Sequence, residues 1–243
     1  MRLTVLGCGD ALGSGGRFQT CFHVAGAGST FLVDCGATAL IAMRRFGVDP
    51  NGVETVFLTH LHGDHFGGLP WLILDGQFVS RRQRPLTVVG PPGTDARLTA
   101  AMDALYPDLS GTRRAFALDV REIEAGAPVS VGGVSVMAFA VSHPSGAPPY
   151  GLRLAHGGRV LAYTGDTEWV DALVPLGRDA DLLIAECSTL DRPLPWHLSW
   201  AVLRARLPEI APRRLLLTHM GPEMIAHPPE GYIAAQDGMV LDV

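Results

Sequence analysis

The stretch 56-VFLTHLHGDHFGGLP-70 decides how this chain is read. Its first residues, Val56 to Leu58, form an apolar run of the kind that fills a buried strand. Directly behind them, His60, His62, Asp64 and His65 place three histidines and a carboxylate within six positions. So many lone pairs at the end of a buried strand are costly unless something binds them. On an extended segment, residues two apart point the same way, so His60 and His62 share a side and Leu61 takes the other. Gly63 lets the backbone turn and carries Asp64 and His65 to a second position nearby. The pattern predicts a metal site, with a pair of ions as the natural occupancy once further ligands arrive from elsewhere.

The rest of the chain supplies candidates. The runs RLTVLGC, STFLVDCG, VETVFLTH, PLTVVG, VSVMAFAVSH, GLRLAH, RVLAYTGD, DLLIAECS and RRLLLTHM read as strands. TALIAMRRFG, DARLTAAMDALYP, TEWVDALVPLG and SWAVLRARLPEI read as helices, the last with Ser199 as N-cap. Gly157 and Gly158 between two alternating runs signal a two-residue hairpin. Five of the strands close in His, Asp or Glu at the carboxyl side, which suggests tips converging on one site. His143, Asp166 and His219 are the candidates to complete the metal set. His23, His156 and His227 have no such setting and read as ordinary histidines.

Composition sets the outer limits. A chain of 243 residues that is 47% apolar buries a sizeable core, and no linker, charge block or repeat divides it, so one α/β domain is expected over residues 1–243. The formal charge of -5 argues against a long nucleic-acid surface. Cys8, Cys21, Cys35 and Cys187 show no CxxC spacing and read as small buried hydrophobes. With no secretory pattern and no apolar run long enough to span a bilayer, a cytoplasmic protein without membrane contact is expected.

THLHGDH, followed in order by SH, YTGD and LTH, resembles the metallo-β-lactamase superfamily, and the resemblance spans nearly the whole chain. VVGPPG, YTGDT, AEC, HLS and AAQDGMVLDV are similar, more narrowly, to the tRNase Z branch and its short phosphodiesterase relatives. The resemblance implies a four-layer αβ/βα sandwich of two mixed sheets flanked by helices, with the metals at one edge. It implies that His60, His62 and His143 hold one zinc, that Asp64, His65 and His219 hold the other, and that Asp166 bridges them. It also implies catalytic roles for Asp64, Glu186 and His197, and a homodimer. Mn or Fe would suit the same donor set. Two family features are missing: the interval from His143 to Asp166 has no room for an inserted tRNA-gripping arm, and GSGGRFQTCFHV does not match the Pro-Lys-Arg-Asn loop.

These readings converge on a dinuclear-metal hydrolase acting on a small phosphodiester or short RNA. Arg17, in the Gly-rich loop after the first strand, is a candidate phosphate contact, although a plain structural turn explains that loop more simply. SRRQR and TRR are candidate pieces of a basic strip for RNA. FGGLPWLILDGQFVS is either an interface helix or core. Two alternatives stay open: the same metal site hydrolysing a lactone, thioester or ester, and a metal-bound binding or sensor protein without catalysis.

Overall fold

The computed structural model describes residues 1–243. The first half of the chain lays down β1 (Arg2–Gly7), β2 (Cys21–Gly26), β3 (Ser29–Val33), β4 (Thr55–Phe57), β5 (Leu86–Gly90) and β6 (Leu118–Glu122). The second half lays down β7 (Pro128–Val131), β8 (Val134–Ala140), β9 (Tyr150–His156), β10 (Arg159–Tyr163), β11 (Leu182–Glu186), β12 (Leu215–Thr218) and β13 (Ile233–Ala234). The last strand, β14 (Val240–Asp242), returns to pair antiparallel with β1. Two seven-stranded sheets result, ordered β14-β1-β2-β3-β4-β5-β6 and β13-β12-β11-β10-β9-β8-β7. Both are mixed: β3 to β6 and β10 to β13 run parallel, and the remaining pairs are antiparallel.

Burial explains the layers. The sheets face one another through Val5, Phe22, Phe31, Leu154, Tyr163 and Ile184, all buried, with the Phe22 and Tyr163 rings edge-to-face at 5.4 Å. The outer face of the first sheet is covered by α1 (Ala39–Arg45), α3 (Leu69–Phe78) and α4 (Thr94–Leu105). That of the second is covered by α5 (Leu173–Gly177), α6 (Trp200–Ile210) and α7 (Pro222–Ala226). Leu182–Glu186 and Leu215–Thr218 are buried at every position, as parallel strands covered on both faces must be. This is the expected αβ/βα sandwich.

Several local expectations hold and others need correction. The Gly157-Gly158 hairpin forms, both residues at positive φ (56° and 74°), as a mirror-image turn requires. Ser199 caps α6 by accepting from Val202 N, a contribution of about 1 kcal/mol. All four cysteines are free and buried. FGGLPWLILDGQFVS is mostly core: Leu69, Leu72 and Ile73 are buried, and exposure is confined to the end of the segment at Phe78 and Val79. TEWVDALVPLG does not form a helix throughout; only Leu173–Gly177 does. The cause is local, because Thr167 N donates to Glu186 Oε1 and Thr167 Oγ1 accepts from Ser142 N, which ties the segment to the site. The basic strip is also interrupted. Arg82 is buried and donates to the carbonyls of Val53, Arg84 and Pro85, so it rivets a loop instead of facing solvent. No helix is long and apolar enough to cross a membrane.

Candidate metal centre

Since β8 is antiparallel to β9, and β9 to β10, the carboxyl ends of β8, β10, β11 and β12 share one edge of the sandwich. Open sheets gather function at such edges. His143 follows β8, Asp166 follows β10, Glu186 ends β11 and His219 follows β12. The facing sheet contributes Asp34 after β3 and His60 after β4. His62 stands at the N-cap of the short helix α2 (Gly63–Phe66), whose first turn carries Asp64 and His65. Gly36 lets that turn approach β3, since a Cβ there would lie 2.3 Å from the Asp64 carbonyl oxygen.

All seven residues expected as ligands come together. The donor atoms of His60, His62 and His143 lie within 4.8 Å of one another, and so do those of Asp64, His65, Asp166 and His219. His62 Nδ1 is 3.0 Å from His143 Nε2. His219 Nε2 is 3.3 Å from both Asp64 Oδ2 and Asp166 Oδ2, and His65 Nε2 is 3.3 Å from Asp166 Oδ1. His60 Nε2 is buried without a hydrogen-bond partner, and the buried His65 Nε2 and Asp166 Oδ1, though 3.3 Å apart, lack the geometry of a hydrogen bond and have no other. Orphaned polar atoms are rare inside proteins. A His-rich set with two carboxylates and three such atoms fits divalent metal ions.

Electrostatics say the same. Burial alone would suppress charge on His65, yet Asp166, Asp64 and Asp34 raise its pKa well above the usual imidazole range. His219 rises to about 9 against its burial, mainly through Asp166 and Asp64. Asp166 is likewise held well below the carboxylate range despite burial, by His219 and His65. His60 goes the other way, lowered by burial and by His65. The buried carboxylates thus call for positive charge at this centre, which divalent cations would supply.

Asp34 went unread in the sequence and supports the centre. Fully buried, it accepts from His65 Nδ1 (2.7 Å), Thr59 N (2.8 Å) and Thr59 Oγ1 (2.8 Å). Burial pushes its carboxyl up, and His65 and Thr59 offset only part of that. The contact fixes the His65 tautomer, leaving Nε2 for a metal. Its φ of 57° is a strained left-handed value held by these bonds. The signal was present, because STFLVDCG also closes in an acid. Asp34→Ala is expected to weaken metal affinity roughly 10–100-fold, measured by competition with a chromogenic chelator.

Glu186 and His197 form the second expected constellation. His197 Nδ1 lies 3.0 Å from Glu186 Oε2, while Glu186 is fixed by Thr167 N and Ser188 Oγ. Burial opposes charge on His197, but its hydrogen bond to Glu186 overrides this and raises its pKa. His197 ends a tight turn begun by Leu194, closed by His197 N donating to Leu194 O at 3.1 Å. Pro195 and Trp196 are its central residues, with Trp196 at φ 64° where a glycine would be easier. The Trp196 carbonyl accepts from His143 Nδ1 at 3.1 Å, so one turn orients both histidines. A side-chain reading could not find this contact, because only the Trp196 backbone makes it.

His62, Asp64, His143, Asp166, His197 and His219 line a cavity of ≈ 510 Å³, together with Asp10, Leu12 and Ser14 of the Gly-rich loop. Both readings of that loop survive in part. Asp10 accepts from Leu12 N, Ser14 N and Ser14 Oγ, which makes the loop a built turn. Asp237 anchors its base by accepting from Cys8 N and Phe18 N. Arg17 is not among the lining residues, and its guanidinium lies 3.7 Å from Cys8 Sγ. Arg192 is the cation that lines the cavity instead.

The fold and this centre define a metallo-β-lactamase-fold protein of the metal-dependent hydrolase class. The metallo-β-lactamase fold protein YhfI of Bacillus subtilis matches 99% of the chain and 98% of its own, with TM-score 0.78 at 21% identity. The short form of human tRNase Z matches 100% and 99%, with TM-score 0.81 at 26% identity. More particularly, residues 1–234 match the family described as Anti-Pycsar protein Apyc1, and the chain belongs to that family. A Mycobacterium leprae relative, the uncharacterized protein ML1173, is 36% identical over 233 residues, covering 91% of this chain and 78% of its own.

Proposed function

We propose that this protein is a phosphodiesterase that uses two divalent metal ions to cleave a small phosphodiester or short RNA. The observation that carries the reading is His197, which lines the cavity beside the His/Asp centre and is held there by the buried Glu186. The similarity to tRNase Z supports it. His60, His62 and His143 would hold one ion, and Asp64, His65 and His219 the other, with Asp166 between them. Zinc is the default, and Mn or Fe suits the same donors. When bound, such ions lower the pKa of water and offset phosphoryl charge.

The chain's own groups do the rest. Asp64 orients the attacking water and accepts its proton. Glu186 accepts from His197 Nδ1–H, which fixes the ring so that Nε2 carries the transferable proton. With its pKa raised by Glu186, His197 is charged over a wider pH range and protonates the departing alkoxide. Ser188 and Thr167 hold the Glu186 carboxylate and so keep the donor aligned.

The test is hydrolysis of bis(p-nitrophenyl) phosphate beside p-nitrophenyl acetate and a lactone, on protein whose bound metals have been counted. Metal-dependent cleavage of the phosphodiester is expected. Turnover of the ester or lactone alone would overturn the roles of Glu186 and His197 while keeping the metal centre. Size-exclusion chromatography with light scattering tests the homodimer.

A further inference from the structure

Asp237 lies in the crossover from β13, in one sheet, to β14, in the other. Its Oδ1 accepts from Cys8 N at 3.1 Å and Cys8 Sγ at 3.2 Å, and its Oδ2 accepts from Phe18 N at 2.7 Å. Cys8 and Phe18 are the two ends of the Gly-rich loop, so one carboxylate grips both sides of its neck. Within the neck, Gly9 N donates to Phe18 O at 2.7 Å. The approach needs glycine, because a Cβ at Gly9 would lie 2.9 Å from that oxygen. A peptide is planar, so holding Gly9 N–H also holds the Cys8 carbonyl on its other side. That carbonyl accepts from His219 N at 3.1 Å and from Thr218 Oγ1 at 3.4 Å. His219 stands at φ 53°, a left-handed value that persists only where the surroundings impose it. Beyond the neck, Asp10, Leu12 and Ser14 of the loop line the same cavity as the His219 side chain.

We propose that Asp237 is a positioning residue for the metal centre, which sets the backbone of His219 through the Cys8–Gly9 peptide and fixes the loop wall of the cavity relative to it. The proposal concerns the centre itself, whatever ester is hydrolysed there. Asp237 touches none of the donor atoms and acts at two removes. Its bonds to Cys8 N and Phe18 N are charge-assisted, and Cys8 is fully buried, so losing the carboxylate strands a donor where water is scarce. The neck then relaxes, and His219 N loses the fixed acceptor that holds its unusual φ. His219 belongs to the donor group with Asp64, His65 and Asp166, not to the group of His60, His62 and His143. The damage should therefore fall on one ion and spare the other, an asymmetry that general destabilisation does not produce.

The experiment titrates zinc into metal-stripped protein against a chromogenic chelator and follows hydrogen exchange at the His219 amide by NMR. Asp237→Ala removes both acceptors; Asp237→Asn keeps the size and one acceptor oxygen but turns an N–H toward the other donor, and it serves if the alanine variant does not fold. In both, the affinity for one ion is expected to fall about tenfold while the other stays within about twofold. His219→Ala identifies the weakened ion, and adding Asp237→Asn to it should cost less than about twofold more. Exchange at His219 N–H should quicken at least about tenfold. Val131→Ala is the control, since it opens a cavity in β7, at the edge of its sheet opposite β13. It should lower Tm and leave both affinities and the His219 exchange within about twofold. Equal losses at both ions, no loss at either, unchanged exchange at His219, or the same split in Val131→Ala overturns the proposal. If the wild type takes up a single ion, exchange at His219 decides alone. None of these readouts needs turnover, so a protein that cleaves no phosphodiester defeats the reading above without touching this one.

Discussion

Replacing His62 and Asp64 together with alanine is expected to abolish metal-dependent turnover, a loss of more than about 10³-fold, while the chain still folds. Each residue belongs to a different one of the two donor groups, so the double variant damages both positions at once. The fold does not depend on either. His62 caps α2 without a side-chain hydrogen bond, and Asp64 touches His65 and His219 at the cavity edge, outside the three apolar cores. Thermal unfolding separates loss of metal from loss of fold. A ligand that binds only the native state adds about 4 kcal/mol at a thousand times its dissociation constant. Zinc should therefore raise the Tm of the wild type clearly and that of the variant little, with similar metal-free transitions. Full activity in the variant, or an equal zinc-induced rise in Tm, would sink the assignment of the centre.

Much of this centre was legible because strands report their ends. A parallel strand covered on both faces is an unbroken apolar run, so the polar residue that stops it is conspicuous; LLLTH and LAYTGD are examples. Short stretches of two to five residues with exposed positions give no such contrast. β6, β7, β13 and β14 lie at or beside sheet edges, and most of their residues are half-buried or exposed. They were missing from the nine strands read in the sequence. β2 was missed for a different reason: CFHVAG alternates well but sits in a Gly-rich context that reads as loop. Supporting contacts were harder still. Asp237 acts across more than two hundred residues of chain on the backbone of Cys8 and Phe18, and Trp196 acts through its carbonyl alone. Neither leaves a local periodicity. The lost helix over residues 167–172 has the same origin, because Thr167 spends its backbone donor on Glu186.

His197→Ala is expected to slow phosphodiesters with alkoxide leaving groups by roughly 10²–10⁴-fold, yet p-nitrophenyl esters by less than about tenfold. The difference follows from where the proton is needed. An alkoxide is a strong base and leaves poorly unless protonated as the P–O bond breaks, whereas p-nitrophenolate departs unprotonated. A merely structural His197 would give equal losses on both substrates. Glu186→Gln refines the test, because glutamine still accepts from His197 Nδ1–H and so preserves orientation while removing the charge. In wild type, Glu186 raises the His197 pKa, so the charged donor persists to higher pH. Activity on alkoxide esters is fully present below that pKa and is lost as pH rises through it. The glutamine variant should lose it at lower pH, with a smaller penalty than His197→Ala at acidic pH. An unmoved basic limb would show that His197 is not the proton donor, and the phosphorus-directed reading would then lack the pair on which it rests.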